Sequence, residues 1–257
     1  MKVVILAGGL PSSISDEAEG IPKPMVEIGG RPILWHIMKH YSVYGYNEFI
    51  ICCGYKGNMI KEYFNDFYSY QSDVTIDLKD NRIVLHNNIT EEWKVTVVDT
   101  GLYASTGSRI KQIEKYLKED NFIVNYGDCI SDINVNHLVE TFYKTDKALT
   151  LALAKPSGRN VIVNIDEEGL YCGRGYDNKN NTQNAWVNAN ILVCNNQVFR
   201  YLQKDEPLEK HFLEYLMRDK QVATYQHDGF WMPVETMRDR MELETMWSNH
   251  METWKAR

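Results

Sequence analysis

Apolar residues in this 257-residue chain fall in short continuous runs, punctuated by glycine or polar stretches. Residues 3–6 (VVIL) form one run and give way to Ala7-Gly8-Gly9; residues 49–53 (FIICC) form another and stop at Gly54. Runs this short, bounded by glycine, fit strands buried on both faces of a parallel sheet. Between them, residues 33–44 (ILWHIMKHYSVY) repeat apolar positions at helical spacing, and residues 57–64 begin a second helix. Strand, glycine loop, helix, strand and helix in that order predict a doubly wound α/β sheet.

The pattern continues in kind. Residues 95–99, 122–125, 149–154, 161–165 and 187–193 read as strands, and residues 108–117 as a helix. From about residue 198 the spacing turns mainly helical, in VFRYLQ, LEKHFLEYLMRD and TMRDRMELETMWSNHMETW. A short strand, VATYQ, and an aromatic loop, HDGFWMPVE, lie between the last two. The expected architecture is one domain, 1–257, built on a mixed, mainly parallel, Rossmann-like sheet. A small variable region precedes residue 187, and a helical C-terminal extension covers about 198–257.

Ligands of an open parallel sheet bind beyond the carboxyl ends of its strands. That singles out residues 8–13, 54–57, 99–101 and 127–128, each a place where glycine stands beside polar side chains.

Composition narrows the chemistry. Acidic residues outnumber basic ones 35 to 28, for a net charge of −7, and no long basic run is present. A nucleic-acid surface is therefore not expected. No apolar stretch approaches a membrane span, and MKVVILAGG reads as a buried strand rather than a signal peptide. The five cysteines, at 52, 53, 129, 172 and 194, include no C-x-x-C pair. They read as reduced, buried small hydrophobes of a cytoplasmic protein rather than a disulfide or zinc framework.

Several residues could carry chemistry. Gly8 and Gly9 would let backbone amides approach a phosphate, although a plain tight turn uses such glycines equally well. Neither G-x-G-x-x-G nor G-x-x-x-x-G-K-[ST] occurs. Lys23 stands between two prolines, a stiff stem for aiming an ammonium at phosphate; an exposed loop lysine fits as well. Asp128 follows a strand through Gly127 and is a candidate magnesium ligand, with a cap or turn residue as the plainer alternative. Asp132 reads as a cap or turn residue. Trp35, Trp231 and Trp247 read as packing residues, as do His36 and His40 one helical turn apart. The histidines show no metal or catalytic pattern.

The segments KVVILAGGL, KPMVEIGGRPILWHIMKHYSVYGYNEFIICCGYKGNMIKEYF, VTVVDTG, TGSR, NYGD and HDGFWMPVETMRDRMELE together resemble the bacterial glucose-1-phosphate cytidylyltransferases over nearly the whole chain. The resemblance implies the nucleotidyltransferase fold with a small sugar-side region, a homo-oligomer, Mg2+ as cofactor, and CTP and a phosphorylated sugar as substrates. It implies formation of a CDP-sugar for surface polysaccharide. Leu6, Ala7, Gly8, Gly9, Thr106, Gly107 and Arg109 would then lie at the nucleotide. Lys23 would hold phosphate and, with Asp128, serve catalysis. Asp128 and Glu235 would hold the metal, and Asn188 and Arg159 would face the sugar.

The chain also departs from that pattern. Pro11-Ser12-Ser13 stands where the family carries Gly-Thr-Arg, and Ile21 replaces a basic residue. The family's acceptor-side lysine has no clear counterpart in LYCGRGYDNKNNTQ, where Arg174, Lys179 or Arg159 could stand in. Ala189 and Asn190 replace two glycines beside the sugar. A retuned acceptor is one consequence; a catalytically impaired paralogue that binds nucleotide or a partner subunit is the alternative.

Overall fold

The computed structural model describes residues 1–9, 20–86, 91–117, 121–156, 161–175, 185–203 and 205–255. In chain order the first half holds β1 (Lys2–Ala7), a small hairpin of β2 (Glu27–Ile28) and β3 (Arg31–Pro32), α1 (Ile33–Val43) and β4 (Glu48–Cys53). Then come α2 (Gly57–Asn65), α3 (Phe67–Gln71), a second hairpin of β5 (Asp73–Asp77) and β6 (Arg82–His86), and β7 (Lys94–Asp99). The middle holds α4 (Thr106–Gln112), α5 (Glu114–Leu117), β8 (Phe122–Tyr126), β9 (Cys129–Ser131), α6 (Val135–Thr145) and β10 (Leu149–Ala154). The last part holds β11 (Ile162–Ile165), β12 (Tyr171–Arg174), β13 (Trp186–Cys194), α7 (Leu213–Arg218), β14 (Val222–His227), β15 (Trp231–Pro233) and α8 (Met237–Ser248).

Nine strands make one mixed sheet. Its main path runs β12-β11-β13-β8-β1-β4-β7, and β10 pairs with both β13 and β14. β1 lies parallel to β4 and to β8, and β4 parallel to β7, so four carboxyl ends open on one edge. Alternation explains the burial. Val3, Ile5 and Ala7 enter the apolar layer shared with α1 and α6, while Val4 and Leu6 enter the layer shared with α4 and α7. A strand covered on both faces needs the continuous apolar run that the sequence shows.

Two details differ from the periodicity. The helix expected at 108–117 begins at Thr106, because Ser105 accepts a hydrogen bond from Ser108 N at 3.2 Å and caps it, and it breaks into α4 and α5 at Ile113. The aromatic loop contains β15, which pairs antiparallel with β9. The C-terminal stretch is helical in α7 and α8, and its strand β14 joins the main sheet beside β10.

Asp132 corrects one expectation. It caps no helix: Asn134 caps α6, while the Asp132 carboxylate accepts from Phe230 N at 2.7 Å and His227 Nε2 at 2.8 Å. Burial pushes its carboxyl upward, but bonds from His227, Thr253 and Phe230 outweigh this and hold it below the usual range. Four of the five cysteines are buried; Cys172 is exposed.

Candidate active site

A cavity of about 430 Å³ opens at the carboxyl ends of β1, β7 and β8. Leu6, Ala7, Gly8 and Gly9 form one wall, and Lys23, Thr106, Arg109 and Asp128 contribute to the others. The Pro-Lys-Pro frame is a tight turn: Pro22 O accepts from Met25 N at 2.8 Å, and Pro24 is buried under the loop carrying Gly127. This turn brings Lys23 Nζ to 3.2 Å from Asp128 Oδ2, a contact between residues 105 positions apart.

Asp128 is held from below. Asn125 is buried, and its carboxamide accepts from Tyr41 Oη at 2.8 Å and donates to Tyr126 O at 2.6 Å. Across from it, β15 pairs with β9 in the register Pro233↔Cys129, and Val234 N donates to Asp128 O at 2.8 Å. Glu235 is the next residue, so backbone pairing draws the two acidic side chains toward one place. The Cys129 thiol records both: burial first, then the charge of Asp128, and further that of Glu235 push it well above its ordinary value.

A second cavity, about 250 Å³, adjoins on the side of β11, β12 and β13. Asn188, Asn190, Arg174 and Glu235 line it. Asn188 Oδ1 accepts from Asn190 N at 2.7 Å, which supports Asn190 at φ +58°, a left-handed backbone that asparagine tolerates better than most residues. Ala189 is fully buried, and its carbonyl accepts from Trp231 Nε1 at 2.8 Å. Arg159, Lys179 and the Pro11-Ser12-Ser13 segment lie outside the described residues.

Two residues expected at the nucleotide make their bonds within the chain in this structure. Arg109 is only 4% exposed, and its donors go to the chain itself. Nη1 donates to Cys53 O at 3.1 Å, Thr100 Oγ1 at 2.7 Å and Gly101 O at 2.8 Å, and Nη2 to Gly8 O and to Leu102 O. One guanidinium thus ties together the ends of β1, β4 and β7. A Cβ on Gly8 would stand 2.2 Å from Nη1, which is why that position is glycine. Gly107 does not face the cavity: its N–H donates to Glu206 O at 3.1 Å, and a Cβ there would sit 2.3 Å from the same oxygen.

Sequence reasoning missed Asn125, Tyr126 and Glu209. Tyr126 and Glu209 both line the nucleotide-side cavity, and the Tyr126 hydroxyl donates to Glu209 Oε1. Tyr126 stood one residue before the noted Gly-Asp pair. Glu209 lay inside LEKHFLEYL, which reads as an ordinary amphipathic helix.

The nucleotidyl transferase family model matches residues 2–247. Among curated relatives, the glucose-1-phosphate cytidylyltransferase of Salmonella typhi is 40% identical over the whole of this chain and 99% of its own. The probable glucose-1-phosphate cytidylyltransferase of Bacillus subtilis (strain 168) is 35% identical over the whole of both. Among solved structures, HddC from Yersinia pseudotuberculosis superposes with a TM-score of 0.73 at 20% identity, covering 96% of this chain and 99% of that one.

Proposed function

Because the chain belongs to the nucleotidyl transferase family, and within it to the glucose-1-phosphate cytidylyltransferases, we propose that it transfers CMP from CTP to a sugar 1-phosphate. An oxygen of the acceptor phosphate forms a bond to the α-phosphorus of CTP, the bond from that phosphorus to the β-phosphate bridge breaks, and pyrophosphate leaves. Nothing is oxidised or reduced, and no protein nucleophile is needed. The chain's part is to place two anions in line and offset their repulsion. The observation that carries the reading is the Lys23–Asp128 contact, which sets an ammonium and a carboxylate in the cavity walled by Leu6 to Gly9.

Each residue has a task there. The backbone of Leu6 to Gly9 approaches the nucleotide, Lys23 neutralises phosphate charge, and Asn188 faces the acceptor. Arg109 keeps the strand ends in register. Asp128 and Glu235 would hold Mg2+. Their chemistry fits: both are carboxylates, the hard oxygen donors Mg2+ takes, and with no third His, Cys, Asp or Glu grouped with them among the described residues, water and phosphate oxygens would complete the shell. That is the usual manner of Mg2+ at phosphate-transfer sites. When bound, the ion would polarise the phosphoryl group under attack.

The acceptor is open between glucose 1-phosphate and a relative of it, since Asn190, in place of a glycine, lines the second cavity, whereas Ala189 is buried away from it. CTP, Mg2+ and glucose 1-phosphate should together release pyrophosphate. Release with a different sugar phosphate alone selects a retuned acceptor; CTP binding with no turnover on any acceptor selects the impaired paralogue. We also propose a cytoplasmic setting. Among the described residues, no helix is long and apolar enough to cross a membrane.

For the expected homo-oligomer we propose the β5–β6 hairpin as the contact. This two-stranded sheet stands apart from the main one, and Val74↔Leu85 and Ile76↔Ile83 pair on one face. Ile76 is 62% exposed, Ile83 65% and Leu78, in the turn, 89%. Isolated hairpins are marginal in water. A second copy offers the same strip, so contact between copies would be self-complementary.

A further inference from the structure

We propose that Glu209 is a specificity residue that reads the ring hydroxyls of the acceptor sugar; the proposal rests on the cytidylyltransferase reading above. Among the residues lining the nucleotide-side and acceptor-side cavities, Glu209 alone belongs to both. It is placed there by an irregular turn. After Pro207 the chain winds irregularly through Leu208–Phe212, with a kink at Lys210, whose backbone leaves helical geometry (φ −111°, ψ −121°).

The turn is fastened on both sides. Glu206 O accepts from Gly107 N at 3.1 Å and Ser105 Oγ at 2.8 Å, and Leu208 N donates to Thr106 Oγ1 at 2.8 Å. On the acceptor side, Arg174 Nη2 donates to Glu209 O at 3.0 Å. The carboxylate itself accepts from Tyr126 Oη at Oε1 and from Thr106 Oγ1 at Oε2, the latter at 3.2 Å. Burial, and then the charge of Glu209, push the Tyr126 phenol well above its ordinary value, so it remains a donor.

The chemistry of the ligand follows. A carboxylate offers about four lone-pair directions and only accepts. Two are met by Thr106 and Tyr126, residues of the nucleotide-side cavity. The others open toward the cavity that Arg174 and Leu213 line. A phosphate there would meet like charge, whereas sugar hydroxyls would donate. Glu209 therefore orients the acceptor, hydroxyls toward itself and phosphate toward Lys23 and Asp128.

Glu209→Gln in the full chain tests this, with pyrophosphate release measured for glucose 1-phosphate, its monodeoxy analogues, CTP and 2′-deoxy-CTP. We expect KM for glucose 1-phosphate to rise about 10- to 100-fold, the range set by one or two lost bonds to a charged group, with KM for CTP within about twofold. Discrimination by the unaltered protein against at least one monodeoxy sugar should fall toward unity in the variant. Glu209→Asp, which keeps the charge and shortens the reach, carries the same comparison if the glutamine form does not fold. An unchanged acceptor KM overturns the proposal, as does discrimination lost against 2′-deoxy-CTP instead. Absence of turnover in the unaltered protein with every sugar phosphate overturns the reaction itself, and this assignment with it.

Discussion

The peptide N–H of Val234 donates to the carbonyl oxygen of Asp128 at 2.8 Å. This bond extends the β15–β9 pairing by one step and sets Glu235 beside Asp128, although the two are more than a hundred residues apart in sequence. Main-chain hydrogen bonds thus fix the backbones that carry the two carboxylates relative to each other. The Asp132 carboxylate reinforces the same loop through Phe230 N and His227.

From this arrangement, Asp128→Asn should lower turnover at least about 10³-fold, because it removes a charged metal ligand and the partner of Lys23. Glu235→Gln should instead raise the Mg2+ concentration needed for half-maximal rate, with a smaller fall at saturating Mg2+. Magnesium titrations of pyrophosphate release separate the two. Full activity in Asp128→Asn would remove the metal assignment.

Arg109→Lys should destabilise the fold by about 3 kcal/mol, because a single ammonium cannot span the carbonyls of Gly8, Cys53, Gly101 and Leu102 and leaves some of them unmet. In a chain of this size that corresponds to a fall in Tm of roughly 6–12 °C. CTP affinity should weaken in parallel, since Gly8 moves with its carbonyl. A stable variant that has lost only CTP binding would show that the guanidinium touches the nucleotide directly.

The sheet was legible in the sequence because strands buried on both faces must be apolar at every position, as in VVIL and FIICC. Gly8 and Gly9, after the first of those strands, line the cavity, whereas Gly54, after the second, does not. Arg109 lines the cavity as expected, but its structural bonds were not legible: TGSR shows a cation near the site, whereas the carbonyls that take its donors come from three segments, two of them, at Gly8 and Cys53, distant in sequence. Glu209 was illegible. Its position depends on a kink at Lys210 that a helical spacing pattern cannot reveal. The β5–β6 hairpin carries a two-residue alternation in DVTID and RIVLH that the search for buried, continuous runs passed over.

Stability should fall as pH drops below about 6.5. His36 and His40 are held below their ordinary values, both chiefly by burial, and each donates Nε2–H to a carbonyl, Ile28 O and Ile133 O respectively, at 2.8 Å. Arg31 and Lys255 further disfavour the charged form of His36; Asp132 favours and His227 disfavours that of His40. A lowered folded constant means the unfolded chain binds more protons, so the contribution is complete above about 6.5 and is lost as pH falls through the folded values. Asp132, also lowered, acts only at more acid pH. Melting curves between pH 7.5 and 5 should show Tm declining, with a shallower slope in His36→Asn. A flat profile would contradict the neutral, buried assignment.

Ile76→Asp combined with Ile83→Lys should shift the protein to a smaller species on size exclusion while leaving its circular dichroism unchanged. The substituted side chains sit opposite each other on the exposed hairpin face, so the pair can bond across the strands as it repels an apolar partner. An unaltered elution volume would place any interface elsewhere.

The segment Pro11-Ser12-Ser13 tests whether Lys23 alone suffices at the triphosphate. Proline removes a backbone donor and stiffens a loop expected to fold over phosphate, and serine cannot supply a bidentate cation. Transferred-phosphoryl arginines are worth about 10³–10⁵ in rate where they act. Pro11→Gly with Ser13→Arg should therefore raise kcat/KM for CTP by about two orders of magnitude or more if Lys23 and the metal carboxylates carry the reaction without that arginine. A fall in kcat/KM would mean that the serine loop is built for a ligand with less negative charge than a triphosphate, and that Lys23 serves that ligand instead.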